Sequence, residues 1–180
     1  VKVSILNEKS LSELGVFCIK CQVLGYNNNS SLEAMKYEWC KDWGEYWGAW
    51  VDNRLVAVAG AHPLPEIGPN AIRVLFRGCQ VDDLYTGLSK HHMNSIPFRD
   101  ILPHQIEAYP DKDLYITTNV SHDASGRMNR THKVMKLLDK LGIVQYNCTM
   151  ELYYTEQSVW KLNVERYNEV RRRLETSKED

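Results

Sequence analysis

The sequence predicts an α/β (α+β) protein built on one central sheet flanked by helices. Segments that alternate apolar and polar residues are interleaved with segments whose apolar residues recur every three or four positions, the periods of a half-buried strand and of an amphipathic helix. Capping patterns and glycines mark where the helical segments start and stop. A chain of 180 residues with 43% hydrophobic and 25% charged residues is ordinary usage for one core. Neither a repeat, a low-complexity tract nor a linker divides it, so residues 1–180 read as a single domain. A chain of this size buries roughly 70% of the surface its unfolded form exposes and needs no disulfide or structural metal to fold.

The elements follow in order. Lys2 to Leu6 alternates and reads as a short strand. Ser10 with Glu13 fits a capping box, and the stripe Leu11, Leu14, Phe17, Cys18, Cys21, Leu24 supplies the buried face of a first helix, ended by Gly25 and Asn27 to Asn29. A second capping box, Ser30 with Glu33, opens a helix with Leu32, Met35, Trp39 and Trp43 inward and Gly44 beyond its end. Tyr46 to Val51 and Arg54 to Gly60 alternate on either side of Asp52-Asn53, a pair that tolerates positive φ, and predict a β-hairpin. His62 to Asn70 holds three prolines and a glycine and reads as a loop; Ala71 to Val81 is the next strand.

Between Asp82 and Asp113 periodicity fails, with Gly87, Pro97, Pro103 and Pro110 as punctuation and short helical pieces only around Phe98 to Tyr109. Long irregular stretches in compact domains are usually functional or mobile, which directs attention here for a binding loop. Leu114 to Val120 predicts a strand, and a loop through Gly126 leads to a helix with Met128, Met135, Leu138 and Leu141 inward and Gly142 as its stop. Ile143 to Tyr154 is strand-like, either one long strand or a pair broken near Asn147. A final amphipathic helix is expected from about Ser158 to 176, with Trp160, Val164, Tyr167, Val170 and Leu174 on one face and Arg171 to Arg173 near its C-terminus, where cations suit the helix dipole.

Lys plus Arg is 22 and Asp plus Glu is 23, so no polybasic surface marks the chain as a nucleic-acid or membrane binder, and neither partner is expected. The longest uninterrupted apolar stretch, Leu55 to Ala59, is far below the ~20 residues of a membrane span, and the protein is read as soluble and cytoplasmic. Cys18-x-x-Cys21 would suit a redox pair or half a zinc site. Both cysteines fall on the helical apolar stripe and no second such pair follows, so buried core thiols are expected. His91, His92, His104 and His122 invite a metal reading, but no H-E-x-x-H or paired helical spacing accompanies them, and no metal site is expected.

Two segments carry a family resemblance. Val81-Asp82-Asp83-Leu84-Tyr85-Thr86-Gly87-Leu88-Ser89-Lys90-His91 lines up with a strand end and pyrophosphate loop written V-x-P-x-Y-R-G-x-G-x-G, matching at Val81, Tyr85 and Gly87. Within the Q/R-x-x-G-x-G/A part, Thr86 replaces the first residue and Ser89 and His91 replace the two glycines. Asn119 to Ile143 lines up with a strand, loop and helix ending in L-Y-e-k-x-G-F, here Leu137-Leu138-Asp139-Lys140-Leu141-Gly142-Ile143, with Leu138 where a tyrosine often serves as general acid. With the element order, these segments make residues 1 to about 155 resemble the GNAT superfamily of N-acetyltransferases. The helix start Ser125 to Arg130 is also similar to acetyltransferase-like proteins of marine bacteriophages.

The resemblance implies a single central mixed sheet with an extra C-terminal helix beyond the family core. It implies acetyl-CoA, or another acyl-CoA, as co-substrate and a small-molecule or protein amine as acceptor. The cofactor-binding residues it implies are Val81, Tyr85, Thr86, Gly87, Ser89, Lys90 and His91, with Asn119 and Arg127. Physically, unpaired amides at a helix N-terminus suit a pyrophosphate, and Gly87 allows close approach. Lys90, His91 and His92 either add donors in place of the missing glycines or are solvated loop residues. Arg127 in a first helical turn opposes the dipole; an anionic ligand or an ion pair with Asp123 accounts for it. Removing a proton from a substrate ammonium calls for a carboxylate or an ordered water, and Asp82 and Asp83 are the candidate catalytic residues, with Glu66 in reserve, unless they are ordinary turn residues.

Two other readings stand beside this one: a catalytically inactive GNAT-like protein that binds a ligand or partner, and a nucleic-acid-associated module built on the basic helix 127–140 and Arg171 to Arg173, which the balanced charge disfavours. The C-terminal helix is expected to pack across the sheet, or against a second subunit in a homodimer, through Trp160 and Tyr167.

Overall fold

The computed structural model describes residues 1–23, 45–79, 95–120, 130–152 and 154–177, and of 21–23, 76–79, 130 and 131 the backbone alone. Its strands are β1 (Lys2–Ile5), β2 (Glu45–Val51), β3 (Arg54–Pro63), β4 (Ala71–Cys79), β5 (Asp113–Asn119), β6 (Val144–Leu152) and β7 (Thr155–Leu162). The helices are α1 (Leu11–Val23), α2 (Leu102–Ala108), entered through a π-helical turn at Pro97–Ile101, α3 (Arg130–Lys140) and α4 (Val164–Thr176). The predicted helix over Ser30 to Trp43 lies outside the described residues.

Among the described residues seven strands form one mixed sheet in the order β1-β2-β3-β4-β5-β7-β6, in which β4 and β5 are parallel and the other neighbours antiparallel. The β2–β3 hairpin turns on Asp52 and Asn53, both left-handed at φ 49° and 60°, as a two-residue turn between twisted strands requires. β3 continues through His62 to Pro63 rather than stopping at Gly60: Ala61, His62 and Pro63 pair with Val74, Arg73 and Ile72 of β4, and a backbone hydrogen bond of 2.9 Å from the Leu64 amide to the Ala71 carbonyl closes the loop just beyond them.

The helices sit on both faces of the sheet. On one, Leu14, Phe17 and Cys18 of α1 pack with Tyr46, Leu55 and Val58. On the other, Ile101 and Leu102, Met135 and Leu138, and Tyr167 bring α2, α3 and α4 onto Ala57, Ala59, Ile72, Val74, Leu114, Ile116 and Trp160. Lys133, Lys136 and Lys140 of α3 face solvent, as the helical period predicts.

Two boundaries differ from the sequence expectation. The cap before α1 is Asn7, not Ser10: a 3-10 turn over Glu8–Ser10 precedes the helix, the Asn7 side chain accepts from the Lys9 amide at 2.9 Å, and the Ser10 hydroxyl accepts from the Asn7 amide at 3.3 Å. The last helix starts at Val164, not Ser158. Thr155–Leu162 is instead a strand that returns along β6 through Tyr154 at φ 65°, and the irregularity near Asn147 is a bulge within β6. Ser158, Val159 and Trp160 are all buried, since β7 lies between β5 and β6 and is covered on both faces, which erases the alternation a strand would show. Asn163 then caps α4 by accepting from the Arg166 amide at 3.0 Å. Trp160 at 3% exposure and Tyr167 at 0% are both buried within the chain, so α4 packs across the sheet with its apolar face inward.

Candidate functional site

The parallel ladder between β4 and β5 runs only from Ala71 opposite Asp113 to Val74 opposite Ile116, although β4 continues to Cys79 and β5 to Asn119. Past that point each strand is paired on its outer side alone. Phe76, Gly78 and Cys79 pair with Ala59, Val58 and Ala57 of β3, while Thr117, Thr118 and Asn119 pair with Val159, Ser158 and Gln157 of β7. The cause lies in β4 itself. Ala59 opposes Phe76 and the next pair is Val58 with Gly78, so Arg77 is an extra residue in that strand, and a bulge of this kind bends the strand that carries it. The result is a gap in the middle of the sheet whose two walls are strand edges, each with alternate backbone N–H and C=O groups directed across it.

The side chains of β5 turn polar where the ladder ends. Thr118 points to the helix layer of α2 to α4, where its hydroxyl accepts a 2.8 Å hydrogen bond from the Trp160 indole and shares a second, of 2.9 Å, with His132 Nδ1 on α3. The Trp160 ring is flanked edge-on by His132 and Tyr146, with centroids 5.7 and 5.4 Å away. Thr117 points to the α1 face, where its Oγ1 accepts from Arg73 Nε at 2.7 Å, a contact that crosses from β4 to β5 beside the last ladder pair.

On that face, His62 is the cross-strand neighbour of Arg73, and its Nε2 lies 3.2 Å from the Tyr46 hydroxyl with the two rings edge to face. The absence of a side chain at Gly60 makes room for this pair, because a Cβ there would lie 2.7 Å from the Tyr46 ring. Tyr46 and His62 are each 1% exposed. The line Tyr46, His62, Arg73, Thr117 thus runs across β2 to β5 and ends at the mouth of the gap. None of these four was singled out from the sequence.

Of the sequence-derived candidates, Asn119 ends β5 at the gap, half-buried. Asp82, Asp83, Val81, Tyr85, Thr86, Gly87, Ser89, Lys90, His91 and Arg127 lie outside the described residues. Glu66, the reserve base, is exposed in the turn before β4, whereas the gap opens beyond Val74, about 10 Å up the strand from Ala71 at ~3.3 Å per residue. Leu138, at the position where the resembling helices carry tyrosine, is fully buried in the core. Cys18 is a buried free thiol, and burial pushes its pKa up to about 11, the opposite of what a reactive thiolate needs. The Cys21 side chain lies outside the described set. Among the described residues no group of His, Cys, Asp or Glu is arranged to hold a metal ion.

The architecture has known counterparts. A probable acetyltransferase from Staphylococcus epidermidis is 15% identical, with 89% of this chain and 96% of that one covered at a TM-score of 0.56. The fold is that of the GNAT acetyltransferases. The aminoglycoside 6'-N-acetyltransferase from Enterococcus faecium gives 12% identity, coverage of 89% and 95%, and a TM-score of 0.57. A ribosomal-protein alpha-N-acetyltransferase in complex with coenzyme A gives 12%, 88% and 91%, and 0.56. No family sequence model matches the chain, and no curated protein matches it in sequence. No helix among the described residues is long and apolar enough to cross a membrane.

Proposed function

We propose that this protein is an acyl-CoA-dependent N-acyltransferase that transfers an acetyl group to an amine of a small molecule or a protein. The observation that carries the reading is the gap between β4 and β5. Its walls offer backbone donors and acceptors at strand spacing, and the extended, amide-bearing arm of coenzyme A fits between them as an added strand would. The GNAT fold supports the same reading, and a solved structure of that fold is described as a complex with coenzyme A. Bound acetyl-CoA supplies an acyl group already activated as a thioester.

The chain's own residues do the rest. Backbone amides around Gly87, with Val81, Tyr85, Thr86, Ser89, Lys90 and His91, hold the pyrophosphate, and Lys90 and His91 replace by charge what the missing glycines would give by close approach. Arg127 adds a cation and Asn119 a polar side chain at the end of β5. Asp82 or Asp83 takes the proton from the acceptor ammonium so that its lone pair can attack, and alignment of the two reactants within the gap lowers the barrier further. Leu138 cannot donate a proton to the departing thiolate, and the transfer runs without a tyrosine acid from that position. The same buried leucine favours, as the second reading, a catalytically inactive protein of this fold that still binds a ligand or partner.

A thermal unfolding scan with and without acetyl-CoA, with ATP as the control for generic anion binding, tests the reading. Acetyl-CoA at 100 times its Kd stabilises by about 2.7 kcal/mol, or roughly 5–11 °C for a chain of this length. A shift with acetyl-CoA and not with ATP, followed by acetylation of an amine panel, supports it. A shift without turnover points to an inactive binder of the cofactor, and no shift overturns the acyltransferase reading and moves the inactive, partner-binding reading to first place.

A further inference from the structure

The closed end of the gap carries a side-chain bridge. Arg73 stands opposite Tyr115 in the β4–β5 ladder, whose last pair is Val74 with Ile116. Arg73 Nε nevertheless donates at 2.7 Å to the hydroxyl of Thr117, the first β5 residue past the ladder and about 7 Å up the strand from Tyr115. The bond thus spans the point where the two strands part. Its donor is charged, which makes it stronger than a bond between neutral groups, and both side chains are half-buried on the α1 face. The end of a ladder is where paired strands fray. Peeling Ile116 from Val74 carries Thr117 away from Arg73 and breaks the bridge, so the bridge holds the last pair shut.

The shape of the gap decides which part of an acyl-CoA meets this point. Its walls converge to ladder spacing, about 4.8 Å between strands. The nucleotide of coenzyme A is too wide to enter there, whereas the slender thioester end is not, so the acyl group lies nearest the closed end. The helix-layer side of that end is filled by Val74 and Ile116, each 2% exposed and packed in the core. A longer acyl chain gains room along the gap only if the last pair opens. Opening the ladder by one residue lengthens the gap by about 3.3 Å, room for about two further methylene groups.

We propose that Thr117, held by Arg73, is a specificity-determining residue that limits the acyl group to short chains by fixing where β4 and β5 part. This role rests on the acyltransferase reading. Acetyl-CoA and butyryl-CoA are the probes, each titrated calorimetrically into the wild-type chain and three variants. Thr117→Val keeps the shape and removes the acceptor oxygen; Thr117→Ser keeps the oxygen. Ser4→Ala removes the acceptor of the Trp50 indole on the edge strand β1, three strands from β4, and controls for lost stability alone. The wild-type chain is expected to bind acetyl-CoA about tenfold or more tighter than butyryl-CoA, the worth of methylenes that do not fit. Thr117→Val is expected to shrink that ratio by about fivefold, the size of one hydrogen bond, and to speed amide exchange across Arg73 to Leu75 and Tyr115 to Thr117. Thr117→Ser and Ser4→Ala are expected to keep the wild-type ratio. A ratio unchanged in Thr117→Val, an equal change in Ser4→Ala, or a wild-type chain without preference overturns the role of Thr117 and leaves the acyltransferase reading standing. A wild-type chain that binds neither thioester overturns that reading and the role with it, whatever the exchange data show.

Discussion

Replacing Thr118 by valine keeps the side chain's shape and removes one oxygen from the point where β5, β7 and α3 meet. Thr118 is 2% exposed and accepts from the Trp160 indole at 2.8 Å, and Trp160 is itself 3% exposed, so no water replaces the lost acceptor. A buried donor left in this way costs about 1–3 kcal/mol, and loss of the bond to His132 Nδ1 adds about 1 kcal/mol, giving about 3 kcal/mol in all. For a chain of this length that lowers Tm by roughly 6–12 °C. Thr118→Ser, which keeps the oxygen and loses a methyl, should cost about 1 kcal/mol or less. Urea unfolding followed by circular dichroism measures each, and the double variant Thr118→Val with Trp160→Phe completes a cycle. The two changes remove the same bond, so their costs should fall short of additive by about 1 kcal/mol or more. A Thr118→Val variant as stable as the Ser variant, or a strictly additive cycle, would refute the claim that this junction holds the end of β5.

Three further outcomes follow from particular contacts. Gly60→Ala puts a Cβ 2.7 Å from the buried Tyr46 ring, and a loss of about 1–3 kcal/mol in urea unfolding is expected, against no loss for Gly68→Ala, where a Cβ meets open space. The Cys18 thiol, raised from 9.0 to about 11 by burial, contributes stability that is complete below pH 9 and disappears as pH rises toward 11; the urea midpoint should fall across that interval, and Cys18→Ala should flatten the fall. If Asp82 or Asp83 accepts the ammonium proton, Asp82→Asn or Asp83→Asn lowers kcat/KM for the amine by about 10²-fold with the acetyl-CoA thermal shift unchanged; full activity in the double variant contradicts this.

The hairpin at Asp52-Asn53 and the inward face of α3 were legible because each is set by local chemistry: positive φ in one case and a helical period with a solvated opposite face in the other. The start of α4 was not. Trp160, Val164 and Tyr167 keep helical spacing across a boundary that only the burial of β7 on both faces and the Asn163 cap define. The Tyr46–His62 pair was hidden by two long-range effects. His62 reads as the start of a proline-rich loop until β4 pairs with it. The bulge in the hairpin between Ala49 and Trp50 also slips the register, so that Tyr46 faces Gly60 instead of Ala59. The gap itself leaves only a faint trace in sequence, the run Thr117-Thr118-Asn119 at the end of an otherwise apolar strand. Its cause, the extra residue Arg77, is visible only once the β3–β4 pairing is known.

If the walls of the β4–β5 gap receive an acyl-CoA as a sheet edge receives a strand, the bound molecule protects backbone amides on both walls. Amide hydrogen exchange of the free and coenzyme A-bound protein, read residue by residue across 75–79 and 117–119, tests it most directly. Alternate amides on the gap side of these two strands are expected to exchange slowly only when coenzyme A is bound, while amides paired to β3 and β7 are slow in both states. Saturation with coenzyme A that leaves every amide of 75–79 and 117–119 unchanged would contradict it.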